Sequence, residues 1–433
     1  MISKTTNLKK TSVAWMPEIP SDWDLKRGKF VFKSRKVIND KMQCKERLGL
    51  TLNGVIDRFE GDGVGLNPND LRTYQIFEED ELVFKLIDLE NKNTSRVGYV
   101  HKRGIMSSAY IRVLNNPNVN MRYFYFQYFN LYQRYVFNMI GQGVRATMSS
   151  IDLLNMSVAI PPLSVQNSIV ACLDKKNNEI NKFIRNKERL IDLLEERKKK
   201  VISKNISQWV HSELKESGIS WIGKIPAHWS VLNLKYLLKS KLKYGANEEA
   251  KDANLEHPRY IRITDFGFDG KLSDDTFRSL PLKKAKEYLL NEGDILFARS
   301  GATVGKTFQF KEYNGLACFA GYLIKASPNA KRILSDFLYL YTQSSLFEEW
   351  KNGIFDKATI ENIGADKYAV LKVIVPPIEE QEQIIAFVQN ESSEINLAIS
   401  KAQKEISSIK EYREALITDL VTGKRSVPQL QMN

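Results

Sequence analysis

The sequence predicts an α+β chain: two mixed α/β domains separated by two long antiparallel helices that form an intramolecular coiled coil. Three observations predict it. A phrase rich in tryptophan and proline occurs twice, as Ala14–Trp23 and Ser220–Trp229. A second phrase, paired prolines followed by a glutamine, occurs at Pro161-Pro162 with Gln166 and again at Pro376-Pro377 with Gln381, and each copy opens a long amphipathic stretch. The blocks between these phrases echo one another in their apolar runs and differ in their loops.

The first phrase repeats at an offset of 206 residues and the second at 215, so the intervening block is nine residues longer in the second copy. A period of half the chain is a duplication rather than a solenoid. Proline starts a helix well but cannot sit inside one. After the second Pro pair, apolar residues fall at Ile395, Ile399, Ala402, Ile406, Ile409, Leu416 and Leu420, a heptad seam. The first copy repeats the register with Ile180, Ile184, Ile191, Leu194 and Val201, and places Lys187 and Lys198 at the remaining seam positions. Helices of about 40 residues reach about 60 Å, too long for one domain of this size to bury, so the two are expected to pack on each other.

The blocks read as short strands and turns. "DILFA" at Asp294 and "KTFQF" at Lys306 are strand-like around a Gly-containing turn. "EDELVFK" from Glu79 lies over "EGDILFA" from Glu292. The same echo sets Gly98 over Gly305 and "GIMSSAYIRV" from Gly104 over "GLACFAGYLI" from Gly315. The expected layout is an N-terminal arm at 1–23, a first domain at 24–160, a central helix at 161–208 and a linker at 209–229. A second domain at 230–375, a distal helix at 376–422 and a tail at 423–433 complete it.

The 433 residues carry 64 Lys plus Arg against 51 Asp plus Glu, a formal charge of +13 and a pI near 9.3. That field favours a polyanion, most simply nucleic acid. No apolar run is long enough to span a bilayer, and the N-terminus lacks the apolar core of a signal peptide. The three cysteines, Cys44, Cys172 and Cys318, are scattered, and no histidine has a second ligand at helical spacing. Neither a disulfide framework nor a metal site is expected, and the expected location is the cytoplasm.

Catalytic motifs fail on spacing. "SGATVGKT" has Ser300 where a phosphate loop needs glycine, and Gly301 is one residue too close to Gly305-Lys306-Thr307. "FEGDG", Phe59–Gly63, fits a methyl-donor pattern, but Ile160 and Val375 stand before the paired prolines where an amide or carboxylate would hold a target amine. Asp70, Glu90 and Lys92 could be drawn as a Mg²⁺ nuclease set, yet the second block has no counterpart. The chain reads as a binder without a catalytic centre.

With these phrases in place, the chain resembles the specificity (S) subunit of type I restriction-modification enzymes over nearly its whole length. "SGISWIGKIPAHW" (Ser217–Trp229), the Pro-Pro-x-x-x-Gln openings and "LITDLVTGKRSV" (Leu416–Val427) carry the likeness. Met16-Pro17, where the second copy has Ile222-Gly223, departs from the pattern and puts the local turn in question. The resemblance implies two target-recognition domains, each reading half of a split double-stranded DNA sequence. It implies long helices that set the spacer and seat two adenine methyltransferase subunits. Motor-nuclease subunits complete the complex. S-adenosylmethionine, ATP and Mg²⁺ belong to those partners, none to this chain, which is not itself an enzyme. Antiparallel helices would bring the distal end back to the N-terminus, making the chain nearly circular with a pseudo-two-fold axis. Trp23 and Trp229 then read as domain-leading packing residues.

Phosphate contacts position such a protein and base-edge contacts give specificity. The candidates in the first domain are Lys92, Asn93, Arg96, Lys102, Arg103, Ser107, Ser108 and Arg145. In the second they are Arg259, Arg262, Arg299, Ser300, Thr303, Lys306 and Lys357. The run Glu196–Lys200 faces either spacer phosphates or solvent. A self-contained nuclease-methyltransferase and a coiled-coil scaffold without a DNA role are the alternatives. Binding of S-adenosylmethionine by the isolated chain would favour the first, and salt-insensitive binding the second.

Overall fold

The structure, a computed structural model, describes residues 3–5, 7–52, 54–59, 70–90, 94–141, 146–209, 213–267, 270–301, 303–355 and 362–427. The chain divides into two compact units: unit 1 comprises residues 1–186 and 405–433, unit 2 residues 187–404. The central helix runs Leu163–Ser207 and the distal helix Ile378–Val421, 45 and 44 residues long. Each begins directly after its proline pair, as proline's missing N–H and fixed φ require.

The glutamine that follows each pair is fully buried and does the same work twice. Gln166 Nε2 donates to the Pro161 carbonyl at 2.8 Å, while its Oε1 accepts from the Asn120 amide at 2.8 Å. Gln381 Nε2 donates to Pro376 O at 2.8 Å and its Oε1 accepts from the Leu334 amide at 2.8 Å. Asn120 and Leu334 are the N-cap positions of helices Met121–Gln133 and Ser335–Thr342. One side chain thus ties a domain helix to the start of a long helix, satisfying backbone groups that would otherwise be stranded.

In unit 1, strand Asp24–Arg27 pairs antiparallel with Ser157–Ile160, Asp24 opposite Ile160. Strand Leu8–Lys10 pairs with Glu18–Pro20, and Ser3–Lys4 pairs with Arg425–Ser426, which joins the two ends of the chain. A four-stranded sheet orders 54–58, 47–51, 104–106 and 75–77, and a three-stranded sheet orders 111–113, 82–84 and 97–99. Ile19, Trp23, Phe84, Phe124 and Tyr128 pack in one core with Leu416, Ile417, Leu420 and Val421 from the end of the distal helix. Gly423, at φ +70°, ends that helix where a Cβ would lie 2.3 Å from Pro20 Cδ, so only glycine fits.

Unit 2 repeats this frame. Ser230–Asn233 pairs with Lys372–Val375 in the matching register, Ser230 opposite Val375, and Leu214–Glu216 pairs with Lys224–Pro226. A four-stranded sheet orders 243–244, 323–326, 295–298 and 307–309, and Arg259–Ile261 runs parallel to Ala317–Phe319. Trp229 sits in a core with Ile222, Ile225 and the end of the central helix, Ile202 and Ile206. Burying each of those two isoleucines contributes about 1.5–3 kcal/mol. Both tryptophans are therefore packing residues. The turn before them is the same in both copies: Thr11 N donates to Pro17 O at 2.8 Å and Ser217 N to Gly223 O at 3.0 Å, so Met16-Pro17 keeps the geometry of Ile222-Gly223.

The helices meet antiparallel within each unit. In unit 1, Arg413 donates to Asn181 Oδ1 at 3.2 Å; in unit 2, Lys198 donates to Asn396 Oδ1 at 2.8 Å. The two asparagines are equivalent in the duplication, and so are the two cations. Burial pushes the Lys198 ammonium below its usual pKa, and this bond is its compensation. Of the predicted seam, Ile180, Ile184, Ile395, Leu416 and Leu420 are buried, and Ile191, Leu194, Val201, Ile399, Ile406 and Ile409 are half-buried.

The strand echo needs correction past its first strand. Val83 pairs with Gly98 and Leu296 with Phe308, so Gly98 stands where Phe308 does, not where Gly305 does. Setting Gly98 over Gly305 would make the first hairpin six residues longer; the pairing makes it three. Gly98 is a strand residue whose Cβ would come within 2.7 Å of Leu50 and Val55, whereas Gly305 sits in a turn at φ +81°. Two glycines with different duties were matched because they look alike. Likewise Ile111 takes the place of Ile324, two residues beyond the expected Tyr322.

Candidate nucleic-acid interface

Strands Ile295–Ala298 and Thr307–Gln309 of unit 2 are joined by a tight hairpin that carries Arg299, Ser300, Thr303 and Lys306. Gly301 and Gly305 take positive φ there, and a Cβ on Gly305 would lie 2.5 Å from Lys351. Gly305 N donates to Ala298 O at 2.9 Å, and Ala298 N to Lys306 O at 2.8 Å. Ser300 bridges to Asn362, while Thr303 and Lys306 are exposed. Lys306 Nζ reaches Phe266 O at 3.3 Å, which brings the hairpin beside the segment that follows Arg262.

The Arg299 backbone is held on both sides: its N–H donates to Tyr322 O at 3.1 Å and its carbonyl accepts from Ile363 N at 2.8 Å. Its guanidinium lies 5.0 Å from the Tyr244 ring centroid. The neighbouring arginines are committed elsewhere. Arg262 pairs with the buried Asp265 at 3.1 Å and donates to Thr276 O at 2.6 Å. Arg259 is 3% exposed; it donates to Ser273 O, lies 3.4 Å from Asp274 and stacks near Phe277 and Tyr313. Its guanidinium organises the 273–277 turn from inside.

In unit 1, Arg96 is likewise interior, 1% exposed, and donates to Asp88 O at 2.6 Å. Lys102 and His101 both lie 2.8 Å from Asp57, and Arg103 lies 3.4 Å from Glu78. The Lys102 and His101 contacts hold the Asp57 carboxyl below its usual range, and Asp57 raises the Lys102 pKa in return. Ser107 and Ser108 are half-buried at the turn after strand Gly104–Met106, where Ser107 Oγ accepts from Ala109 N at 3.3 Å. Lys92, Asn93, Arg145, Lys357 and His211 lie outside the described residues, as do Glu60–Gly63 of the Gly-rich turn. Asp70 caps the turn Leu71–Thr73 and pairs with Arg72 at 3.0 Å, a structural duty rather than a metal-binding one. Among the described residues no group of three or more His, Cys, Asp or Glu side chains is placed to hold a metal ion. On the central helix, Glu196 and Lys200 pair with each other at 2.6 Å on the exposed face.

Sequence reading missed a buried ion pair that recurs in both units. Glu81 and Arg112 meet at 2.6 Å in unit 1, and Asp294 and Lys325 at 3.5 Å in unit 2. The positions match: Glu81 also accepts from Glu78 N at 2.8 Å and Asp294 from Asn291 N at 2.9 Å. The aligned acids Glu81 and Asp294 were the available signal. Tyr244, which faces Arg299 from another strand, was missed because the two are far apart in sequence.

The chain matches the family described as the type I restriction modification DNA specificity domain twice, over residues 22–205 and 229–410. The specificity subunit of the type I restriction enzyme MjaVIII from Methanocaldococcus jannaschii is 24% identical over 423 residues, 95% of each chain. The EcoKI specificity subunit of Escherichia coli is 24% identical over 209 residues, 47% of this chain and 44% of that one. A chain solved in work on complex assembly and conformational transition of the type I R-M system superposes with a TM-score of 0.63 at 15% identity, covering 94% of this chain and 99% of that one. No helix among the described residues is long and apolar enough to cross a membrane.

Proposed function

Because the chain belongs to the type I restriction-modification DNA specificity family, we propose that its two domains, 24–160 and 230–375, each read one half of a bipartite duplex target. It is a DNA-recognition subunit and not a catalytic one; methyl transfer and cleavage belong to partner subunits of such systems. Specificity subunits work in complex with those subunits and with DNA. In our reading the partners are two adenine methyltransferase subunits seated on the long helices and, beyond them, motor-nuclease subunits. The helices set the length of the unread spacer.

The observation that carries this reading is a repeated frame with unrepeated surfaces. The 24–27/157–160 and 230–233/372–375 ladders share one register and the two glutamine clamps are the same. The hairpins built on that frame differ in length and in exposed side chains. A shared mount with divergent loops suits two readers of different sequences. Lys102, Arg103, Ser107 and Ser108 in unit 1, and Arg262, Arg299, Ser300, Thr303 and Lys306 in unit 2, are the described contact candidates. Arg96 and Arg259 act through the loops that they hold. The test is a complex of this chain with its partner subunits in which the methylated sequences are mapped. Sequence-independent methylation, or binding without a linear fall in log affinity against log salt, would sink the proposal.

A further inference from the structure

Among the described arginines singled out for DNA, Arg299 alone has an uncommitted guanidinium. Arg96 and Arg259 serve backbone carbonyls, Arg103 lies beside Glu78 and Arg262 grips Asp265. Among the described residues Arg299 makes no side-chain hydrogen bond; its buried Nε lacks an acceptor, as do those of Arg96 and Arg259, so it is the idle Nη groups that set it apart. The rest of its surroundings is rigid. Its backbone is pinned by Tyr322 and Ile363, and the preceding Ala298 carbonyl accepts from Tyr368 Oη at 3.0 Å. The ring beneath it is pinned too. Tyr244 lies in a strand paired with Leu323–Ala326, and its Oη accepts from Ala365 N at 2.9 Å.

Building on the bipartite-reading proposal, we infer that Arg299 reads one guanine of the half-site assigned to unit 2 and that Tyr244 is the residue that positions it. The planar guanidinium matches guanine O6 and N7 with two parallel donors. Stacking on an aromatic face leaves its in-plane N–H groups pointing outward, and fixes the orientation before DNA arrives. A flexible arginine would lose that freedom on binding. A phosphate can also be held by a point charge such as lysine, whereas the fork adds two coplanar donors that a base edge can select.

The experiment uses the complete complex, with the wild-type half-sites first mapped by methylation sequencing. Relative binding is then measured on duplexes that carry guanine, 7-deazaguanine or another base at each position of the unit 2 half-site. Arg299→Ala is expected to lose about 5- to 150-fold in discrimination at one base pair, with the other half-site unchanged. Arg299→Lys is expected to lose nearly as much. 7-Deazaguanine at that position is expected to weaken the wild type and leave Arg299→Ala indifferent. Tyr244→Leu is expected to relax the same base pair in part, and Tyr244→Phe to retain selectivity. Retention of the first half-site reports that each variant is folded. Uniform weakening on every sequence, or full activity in Arg299→Lys, would make Arg299 a phosphate contact and overturn the inference. So would unchanged selectivity in Arg299→Ala. Relaxation at a different base pair in Tyr244→Leu would overturn the positioning role. If the wild-type complex itself shows no sequence preference, the functional proposal fails instead.

Discussion

Unit 1 and unit 2 are built on one frame and finished differently, and the boundary between sameness and difference is sharp. The ladders, the glutamine clamps, the asparagine–cation bonds between helices and the buried ion pairs all recur at equivalent positions. The loops past the ion pair do not. Unit 1 has its longer hairpin held by the interior Arg96, and unit 2 a short glycine hairpin that presents Arg299. The clamps and ion pairs that recur are buried and hydrogen-bonded. What differs is the hairpin built on them, held from inside by Arg96 in one unit and carrying Arg299 against Tyr244 in the other. Duplication has kept the mount and released the reading edge.

The comparison breaks most visibly if the blocks are not independent. Exchange of residues 230–375 for the matching block of a relative is expected to replace one half-site outright and leave the other intact. Methylation sequencing in which both half-sites change would end the modular account.

The ion pairs sharpen it next. Arg112→Ala is expected to destabilise unit 1 by about 3–5 kcal/mol, because Glu81 is left buried and charged. Lys325→Ala is expected to cost less, about 1–3 kcal/mol. Lys325 is less buried than Arg112, its separation from Asp294 is longer, and Ser327 Oγ still donates to that carboxylate at 2.6 Å. Denaturant unfolding followed by tryptophan fluorescence decides it; equal costs would contradict the difference in burial.

The clamps should behave alike. Gln166→Leu and Gln381→Leu each strand one amide and one proline carbonyl, at a cost of about 2–4 kcal/mol, and Gln381→Leu also gives up a longer bond to Arg332 O at 3.3 Å. A several-fold disparity in protease resistance between the two variants would show that the frame is less symmetric in energy than in geometry.

The smallest effect concerns Asp57. Its folded pKa lies below the usual value because Lys102 and His101 contact it. Its contribution to stability is therefore complete above the unfolded pKa of about 4. It is lost as pH falls through the lower folded value. Asp57→Asn is expected to flatten that acid limb and to free Lys102 for phosphate. The salt dependence of non-specific DNA binding should then steepen by about one counterion. No change in salt slope would remove Lys102 from the contact set.

Much of the frame was legible because its residue types are demanding. Tryptophan, proline pairs and a clamping glutamine have few substitutes, so Trp23 and Trp229 remain aligned after divergence. The ion pair escaped notice because Arg112 and Lys325 differ in type and each lies 31 residues beyond its acid. The contact residues were the least legible. Arg96, Arg259 and Arg299 read identically as letters, yet two donate through Nη to interior carbonyls and the third lies against the Tyr244 ring. Charge is a property of the residue, whereas availability belongs to its neighbours.

The pairing of Ser3–Lys4 with Arg425–Ser426 has a consequence for the order in which the protein is made. Unit 2 is a single stretch of chain, but unit 1 is split between the first 186 residues and the last 29. Its core lacks Leu416, Ile417, Leu420 and Val421 until the end of the distal helix has been made. At about 5–20 residues per second, the N-terminal part of unit 1 waits on the order of ten to fifty seconds for those four residues. Unit 2 emerges whole in the interval. The unit whose synthesis starts first is the unit whose core is completed last.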